Sequence, residues 1–213
     1  RPPRSTQGVS SAASDVYKRQ LLLLLLLLLP LPLPLPSGVP ASGFGVGLSV
    51  GDAVGEQGES GIRVPVYLST DASVEAYTVV VEFDNTALQA TGIDLTESVT
   101  ENLMLLDVNG MVDANNELGY IAYTALFMPM PGNSIGAGEN LVLFHLNFDI
   151  LPEAAPGNSP LQVLDELEGT LIKTMITSDG VTQIPEFVDG NVLVNETSMP
   201  STNTIRTRTA KTE

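Results

Sequence analysis

From Val46 onward, apolar residues occupy every second position in short runs, which glycine, proline, asparagine and aspartate separate. A period of two residues is that of a β-strand with one buried face, whereas an amphipathic helix repeats about every 3.6 residues. The clearest run extends from Ala76 to Phe83. Its larger and more uniformly apolar set of alternate side chains is predicted to face the core: Tyr77, Val79, Val81 and Phe83.

Further runs of the same kind are predicted to be strands, at residues 46–50, 62–68, 103–108, 120–127, 141–150, 161–167, 169–176 and 191–194. Residues 51–61 are predicted to form a polar loop. Asn109-Gly110, followed by a polar turn at 113–116, predicts a hairpin. Eight or nine strands joined by loops, without crossover helices, predict an all-β fold, a two-sheet antiparallel β-sandwich of jelly-roll type with about nine strands.

The run 141–150 contains the only histidine of the chain, His145. Alternation predicts that the core side of this strand is formed by Val142, Phe144, Leu146, Phe148 and Ile150. It therefore places Leu143, His145 and Asn147 on the outer face.

The two ends of the chain differ in composition from the part between them. Residues 1–20 resemble translated sequencing-adapter read-through and are left out of the fold prediction. Residues 21–45 begin with nine leucines, continue with alternating proline and leucine and end in small residues, as a secretory signal does. Nine leucines in a helix span only about 14 Å, which is too short to cross a membrane. We predict a folded domain at 46–194 and a disordered Thr/Ser-rich linker at 195–213.

The predicted domain is strongly acidic. The whole chain has a net charge of −16, but residues 46–194 contain only Arg63 and Lys173 against 22 acidic residues. A nucleic-acid partner is excluded, because phosphate binding needs a basic surface. The chain has no cysteine, which excludes disulfides, thiolate catalysis and cysteine-ligated zinc.

No catalytic or metal-binding pattern in the sequence is complete. His145 lacks the partners of a catalytic triad or a zinc site and is predicted to lie at the surface. Residues 107–117 resemble a calcium loop, but Met111 stands where an oxygen ligand is required, so a hairpin is favoured over a cation site. The acidic residues Asp165, Glu166 and Glu168 are interpreted as a solvated strand end. We therefore predict a protein that is not an enzyme and that needs no cofactor or metal.

Four segments, in order along the domain, resemble those of cohesin domains. A glycine-bounded loop, residues 54–58, precedes the V-P-V-Y-L stretch of residues 62–68, and residues 81–88 are similar to the hydrophobic-x-Y-D-P-x-x-L segment of that family. Residues 138–148 resemble its penultimate long strand, and residues 189–194, D-G-N-V-L-V, resemble its closing strand. Phe83 replaces the usual tyrosine and Asn85 the usual proline, so the resemblance is to a divergent member.

The resemblance implies a nine-stranded jelly roll that binds dockerin modules and scaffolds polysaccharide-degrading or cell-surface proteins outside the cell. In cohesins the dockerin helices lie across the outer face of the sheet whose strands match residues 76–83, 119–127 and 141–149. The implied partner-binding face is Ala76, Thr78, Val80, Glu82, Tyr120, Ala122, Thr124, Leu126, Leu143, His145 and Asn147. Val80, Leu126 and Leu143 would give this face an apolar patch.

Two other functions remain open on the sequence. The domain could be a carbohydrate-binding module of the same sandwich type, or a structural repeat of a surface protein. The absence of tryptophan argues against the first, because sugar rings usually stack on exposed aromatic side chains.

Overall fold

The computed structural model describes residues 45–106 and 110–197. Residues 1–20, nearly all of the leader-like segment, most of the linker and Asn109 of the predicted hairpin lie outside these ranges. Within them the chain forms strands and loops, and no helix that could cross a membrane is found there. The strands are β1 Gly47–Val50, β2 Asp52–Glu56, β3 Ile62–Thr70, β4 Val74–Phe83, β5 Leu88–Asp94, β6 Met111–Asn115, β7 Tyr120–Leu126, β8 Gly138–Ile150, β9 Gly157–Val163, β10 Met175–Ser178, β11 Val181–Gln183, β12 Glu186–Val188 and β13 Gly190–Asn195.

The strands form two sheets that enclose one core. The five-stranded sheet has the order β12-β1-β3-β8-β5. In the eight-stranded sheet β11, β10, β4, β9, β13 and β2 follow one another, β7 pairs with the other edge of β4, and β6 pairs with β7. The prediction of an all-β sandwich is confirmed. Both sheets are mixed, since β1 runs parallel to β12 and β2 parallel to β13.

Near both ends of the domain the chain crosses from the five-stranded sheet to the eight-stranded sheet, and the two crossings lie side by side. The chain passes from β1 in the five-stranded sheet to β2 in the eight-stranded sheet at Gly51, and from β12 to β13 at Gly190. The two crossings touch so closely that a Cβ atom on Gly190 would overlap the Gly51 carbonyl oxygen. Glycine is therefore required there, and the predicted loop 51–61 contains a strand, β2, whose edge position explains its polar sequence.

The core is built from the inward faces of both sheets. The predicted set Tyr77, Val79, Val81 and Phe83 is buried. Tyr77 of β4 stacks on Phe144 of β8 with ring centroids 5.9 Å apart, and Phe83 meets the edge of Phe148 at 5.2 Å. These contacts join the two sheets, because β4 and β8 belong to different sheets.

A bulge in β8 changes the predicted pattern of buried residues. Val66 of β3 lies opposite Phe144, but Tyr67 lies opposite Val142, so Leu143 is the extra residue. Leu143 and Phe144 are therefore both fully buried, and Val142 turns outward and is half-buried. The predictions that Val142 faces the core and Leu143 the surface are wrong, because strict alternation does not hold across a bulge.

The segment between β5 and β7 also differs from its prediction. The polar stretch 113–116 is predicted to be a turn, but β6 extends to Asn115, and the turn follows it. The Asn115 side-chain oxygen accepts hydrogen bonds from the N–H groups of Glu117 and Leu118 at 3.0 Å each. Residues 103–106 form one isolated bridge, between Leu105 and Phe127, rather than a strand.

The last strand continues past the predicted end of the domain at residue 194. β13 includes Asn195, which pairs with Glu56 of β2. Beyond it, the Thr197 hydroxyl donates a hydrogen bond to the Gln57 carbonyl oxygen at 2.8 Å. The packed domain therefore extends to at least Thr197.

Phe144 gives a direct test of the inter-sheet core. We expect Phe144→Ala to lower the free energy of unfolding by about 3 to 5 kcal/mol, because it removes a fully buried ring and leaves a cavity between the sheets. Urea unfolding measures this change. Gln89→Ala, at an exposed position of β5, is the control. A loss below about 1 kcal/mol would show that Phe144 does not hold the sheets together.

Candidate functional site

The eight-stranded sheet presents a broad outer face around β4 and β7. Residues directly opposite each other in antiparallel strands share a face, so the pairs Thr78–Thr124 and Thr124–Met111 fix which side chains point outward. We call this surface the β4–β7 face. Its members are Ala76, Thr78, Val80 and Glu82 of β4, Tyr120, Ala122, Thr124 and Leu126 of β7, Met111, Asp113 and Asn115 of β6, and Met175 and Thr177 of β10.

The partner-binding set predicted from the sequence divides into two parts. Its eight residues on β4 and β7 lie together on the β4–β7 face. Leu143, His145 and Asn147 belong to β8 in the five-stranded sheet, so the expectation that all three strands share one sheet is wrong. Leu143 is buried by the bulge, and His145 and Asn147 lie on the opposite outer surface of the sandwich. Alternation assigns a side chain to a face of its strand but does not say which sheet the strand joins.

The β4–β7 face has small side chains at its centre and is poor in charge. Val80 and Ala122 form its floor, with 0% and 3% of their surface exposed, so Val80 is not part of an exposed apolar patch. The hydroxyls of Thr78 and Thr124 are hydrogen-bonded across the strands at 3.0 Å. Only Glu82 and Asp113 of the thirteen members are charged. On a domain with 22 acidic residues, most of the negative charge therefore lies elsewhere.

A hairpin projects beside this face, which we call the flap, residues 164–174. β9 and β10 pair with the same edge of β4, at Val81 and Thr78 respectively, so they are two halves of one strand that the flap interrupts. The flap closes on itself through the backbone bond from Leu167 to Ile172 and the ion pair of Lys173 with Glu166 at 2.6 Å. The sequence predicts two strands here, 161–167 and 169–176, and misses the hairpin between them.

Thr174 holds the base of the flap against β4. Its buried hydroxyl accepts a hydrogen bond from the Val80 N–H at 3.0 Å and donates one to the Leu164 carbonyl oxygen. The Leu164 N–H donates in turn to the Val80 carbonyl oxygen at 3.0 Å. The Thr174 hydroxyl therefore makes the hydrogen bonds that strand backbone groups would otherwise make at the point where the flap leaves the sheet.

A groove of about 360 Å³ lies between the flap and the end of the β4–β7 face that contains Glu82 and Tyr120. We call it the flap groove. Leucine side chains of the flap and of the β6–β7 turn line it together with Tyr120 of β7. Glu82 of β4 and Glu168 of the flap add two carboxylates. Leu118, in the turn, is 70% exposed, so the groove is open to a partner.

His145 belongs to a charge cluster on the five-stranded sheet. Arg63 Nη2 lies 3.0 Å from Asp94 Oδ2 and donates a hydrogen bond to His145 Nδ1 at 3.1 Å, and Arg63 Nη1 lies 3.6 Å from Glu97. Burial and then the Arg63 guanidinium lower the pKa of His145, against the opposing effect of Asp94 and Glu97. Hydrogen bonds from Thr96 are the main reason why the pKa of Asp94 is also low. This cluster joins β3 to β5 through the Arg63 side chain, and His145 is one of its members.

Within residues 45–106 and 110–197, no three His, Cys, Asp or Glu side chains come close enough together to hold a metal ion. The stretch that resembles a calcium loop is, from Met111 to Asn115, a strand paired with β7.

No protein-family model matches the chain, and no curated protein matches it. Solved structures do match the chain. The OlpA cohesin in its type I cohesin–dockerin complex from Clostridium thermocellum matches with a TM-score of 0.57 and 18% identity, over 71% of this chain and 99% of that one. The chain has the cohesin fold. The sixth cohesin of Acetivibrio cellulolyticus scaffoldin B, bound to a Cel5 dockerin variant, matches with a TM-score of 0.56 and 20% identity, over 71% of this chain and 99% of that one.

A solution structure gives the same result. The solution structure of CaCohA2 from Clostridium acetobutylicum matches with a TM-score of 0.56 and 20% identity, over 71% of this chain and 91% of that one. At this identity the likeness concerns the fold, and the expectation of a cohesin-like sandwich drawn from four short segments is confirmed at that level.

Sequence reasoning missed the residues that border the face. Met111 and Asp113 fall in a stretch whose polar residues predict a turn. Met175 follows the flap, which interrupts the strand. One signal was available for the flap, because Gly169 separates Glu166 from Lys173 as a turn between oppositely charged partners would require.

The flap base can be tested at Thr174. We expect Thr174→Val to leave the buried Val80 N–H and Leu164 carbonyl unpaired, which costs about 1 to 3 kcal/mol. Amide exchange at Leu164 and Val80 should become faster. Thr174→Ser keeps the hydroxyl and should behave nearly like the wild type. Equal exchange rates in the valine and serine variants would show that the hydroxyl does not hold the flap.

The charge cluster predicts a pH dependence. Because the pKa of His145 is lower in the folded protein than its usual value of about 6.5, the unfolded chain takes up this proton first. The contribution of this group to stability is therefore complete above about pH 6.5 and is lost as the pH falls toward the folded pKa. His145→Gln should lose less stability than the wild type between about pH 6.5 and 5 in urea unfolding. Parallel pH curves for the two proteins would contradict this.

Proposed function

We propose that the domain is a non-catalytic interaction module that binds dockerin modules through the β4–β7 face. The observation that carries the proposal is a charge-poor surface, with small side chains at its centre, on an otherwise highly acidic domain. Charged residues are depleted from the centres of protein interfaces and common at their rims. Glu82 lies at the end of the pairing between β4 and β7, and Asp113 lies on the outer strand β6, so both charges stand at the border of the face.

The cohesin fold supports a dockerin as the partner. The matching structures include cohesins in complex with dockerins. The resemblance in sequence implies a dockerin on the sheet that contains β4 and β7, and eight of the eleven residues named for it lie on this face. β8 does not contribute to this face, because it lies in the other sheet.

Direct sugar binding receives less support from this surface. Tyr120 is the only aromatic member of the β4–β7 face, whereas sugar-binding surfaces usually present several exposed aromatic rings. A polysaccharide panel nevertheless belongs in the binding experiment, so that each class of partner has its own measurement.

We also propose that the domain acts outside the cell, in a secreted or surface-bound scaffold. The leader-like leucine segment at 21–45 supports this location. Fractionation of the source cells, with detection in medium and envelope, would test it, and exclusive recovery from the cytoplasm would contradict it.

The binding face is tested by adding charge to it. We expect the double variant Thr124→Asp and Leu126→Asp to weaken dockerin binding by at least about 100-fold, because two carboxylates would be buried in the interface. Calorimetry with a panel of dockerins, including those of the two complexes above, gives the affinity. Both residues lie partly exposed on β7, so the melting temperature should change little.

A matched control adds the same charge to the other sheet. Ser49→Asp and Gln89→Asp place two carboxylates on the outer surface of the five-stranded sheet and should leave binding unchanged. Equal loss in both double variants would mean that net charge, and not the β4–β7 face, controls binding. Failure of the wild type to bind any dockerin in the panel would overturn the proposed function.

A further inference from the structure

The flap groove combines an apolar wall with two carboxylates. Leu118 of the β6–β7 turn and Leu164 and Leu167 of the flap supply the apolar surface, beside Tyr120. Glu82 and Glu168 stand at the same groove, one on β4 and one on the flap. An apolar wall with carboxylates beside it is complementary to a side chain that has a long alkyl stem and a cationic head.

Within residues 45–106 and 110–197, no basic side chain forms an ion pair with either carboxylate. The described part of the chain contains two basic side chains, and both are engaged elsewhere. Arg63 pairs with Asp94 on the opposite sheet, and Lys173 pairs with Glu166 at 2.6 Å. Glu82 and Glu168 therefore add negative potential to a groove whose charge no described residue of this domain neutralises.

We propose that the flap groove receives an arginine side chain of the bound partner, with its alkyl stem against the leucines and its guanidinium between Glu82 and Glu168. The inference rests on the proposed function, because it names the chemistry by which the partner is held next to the β4–β7 face. Arginine suits the site better than lysine, since its planar head carries five donors, can reach two carboxylates and stacks on an aromatic ring such as Tyr120.

The surroundings disfavour other occupants. An anion is repelled by both carboxylates, and a divalent cation would need more oxygen ligands than two. The volume of about 360 Å³ is near the lower end of the range for small-molecule pockets, which suits one side chain better than an extended ligand. The acidic surface of the whole domain would also speed the approach of a basic partner.

The site can be tested without a dockerin. Nuclear magnetic resonance titration of the complete chain with N-acetyl-arginine amide should shift the amide signals of Leu118, Leu167 and Gly169 more than those of other residues. N-acetyl-citrulline amide has the same shape without the charge and should leave these signals in place. Replacing Glu82 and Glu168 together by glutamine should weaken arginine binding about five- to tenfold, because two exposed charge pairs are lost.

A matched variant controls for net charge. Glu139→Gln with Glu153→Gln removes two exposed carboxylates outside the groove and should leave arginine binding unchanged. Shifts spread over all acidic surfaces, equal shifts with citrulline amide, or equal weakening in both double variants would overturn the inference. Dockerin binding that fails while the groove still takes arginine would contradict only the proposed function, and the reverse result would contradict only the groove.

Discussion

The packing of aromatic rings between the two sheets is the interaction on which the rest of the structure depends. Phe144 of β8 contacts Tyr77 of β4 and Tyr123 of β7, so one ring joins both sheets at the centre of the sandwich. Without cysteine in the chain, burial of this kind must supply most of the stability. It must also offset the self-repulsion of the acidic surface, which places charge only where water can solvate it.

The fold could be predicted from the sequence because each strand has one buried face. The predicted core set from Tyr77 to Phe83 is buried in the structure, and the absence of helical periods correctly indicated a sandwich. Prediction failed where local backbone geometry departed from the period of two. One extra residue in β8 exchanged the environments of Val142 and Leu143, and no side-chain pattern announces such a bulge.

The candidate site was predictable only in part, for a different reason. Residues on β4 and β7 share a face because those strands pair directly, and their alternating patterns show which side chains point outward. The assignment of β8 to a sheet depends on long-range contacts with β3 and β5, which the sequence of β8 does not specify. The same limit explains the flap, since an insertion within a strand looks like two strands.

The flap and the face are linked by the same strand, and this link gives the surface its character. The flap leaves the sheet at Val80, and its base bonds to both backbone groups of that residue, whose side chain is fully buried. Thr174 makes this possible by satisfying the backbone groups that the missing strand residues would have paired. The acidic residues 165, 166 and 168 then lie on the flap and not on the β4–β7 face. Interrupting one strand thus keeps the centre of the face neutral while it raises a carboxylate-bearing wall at its side, where a basic partner would be held.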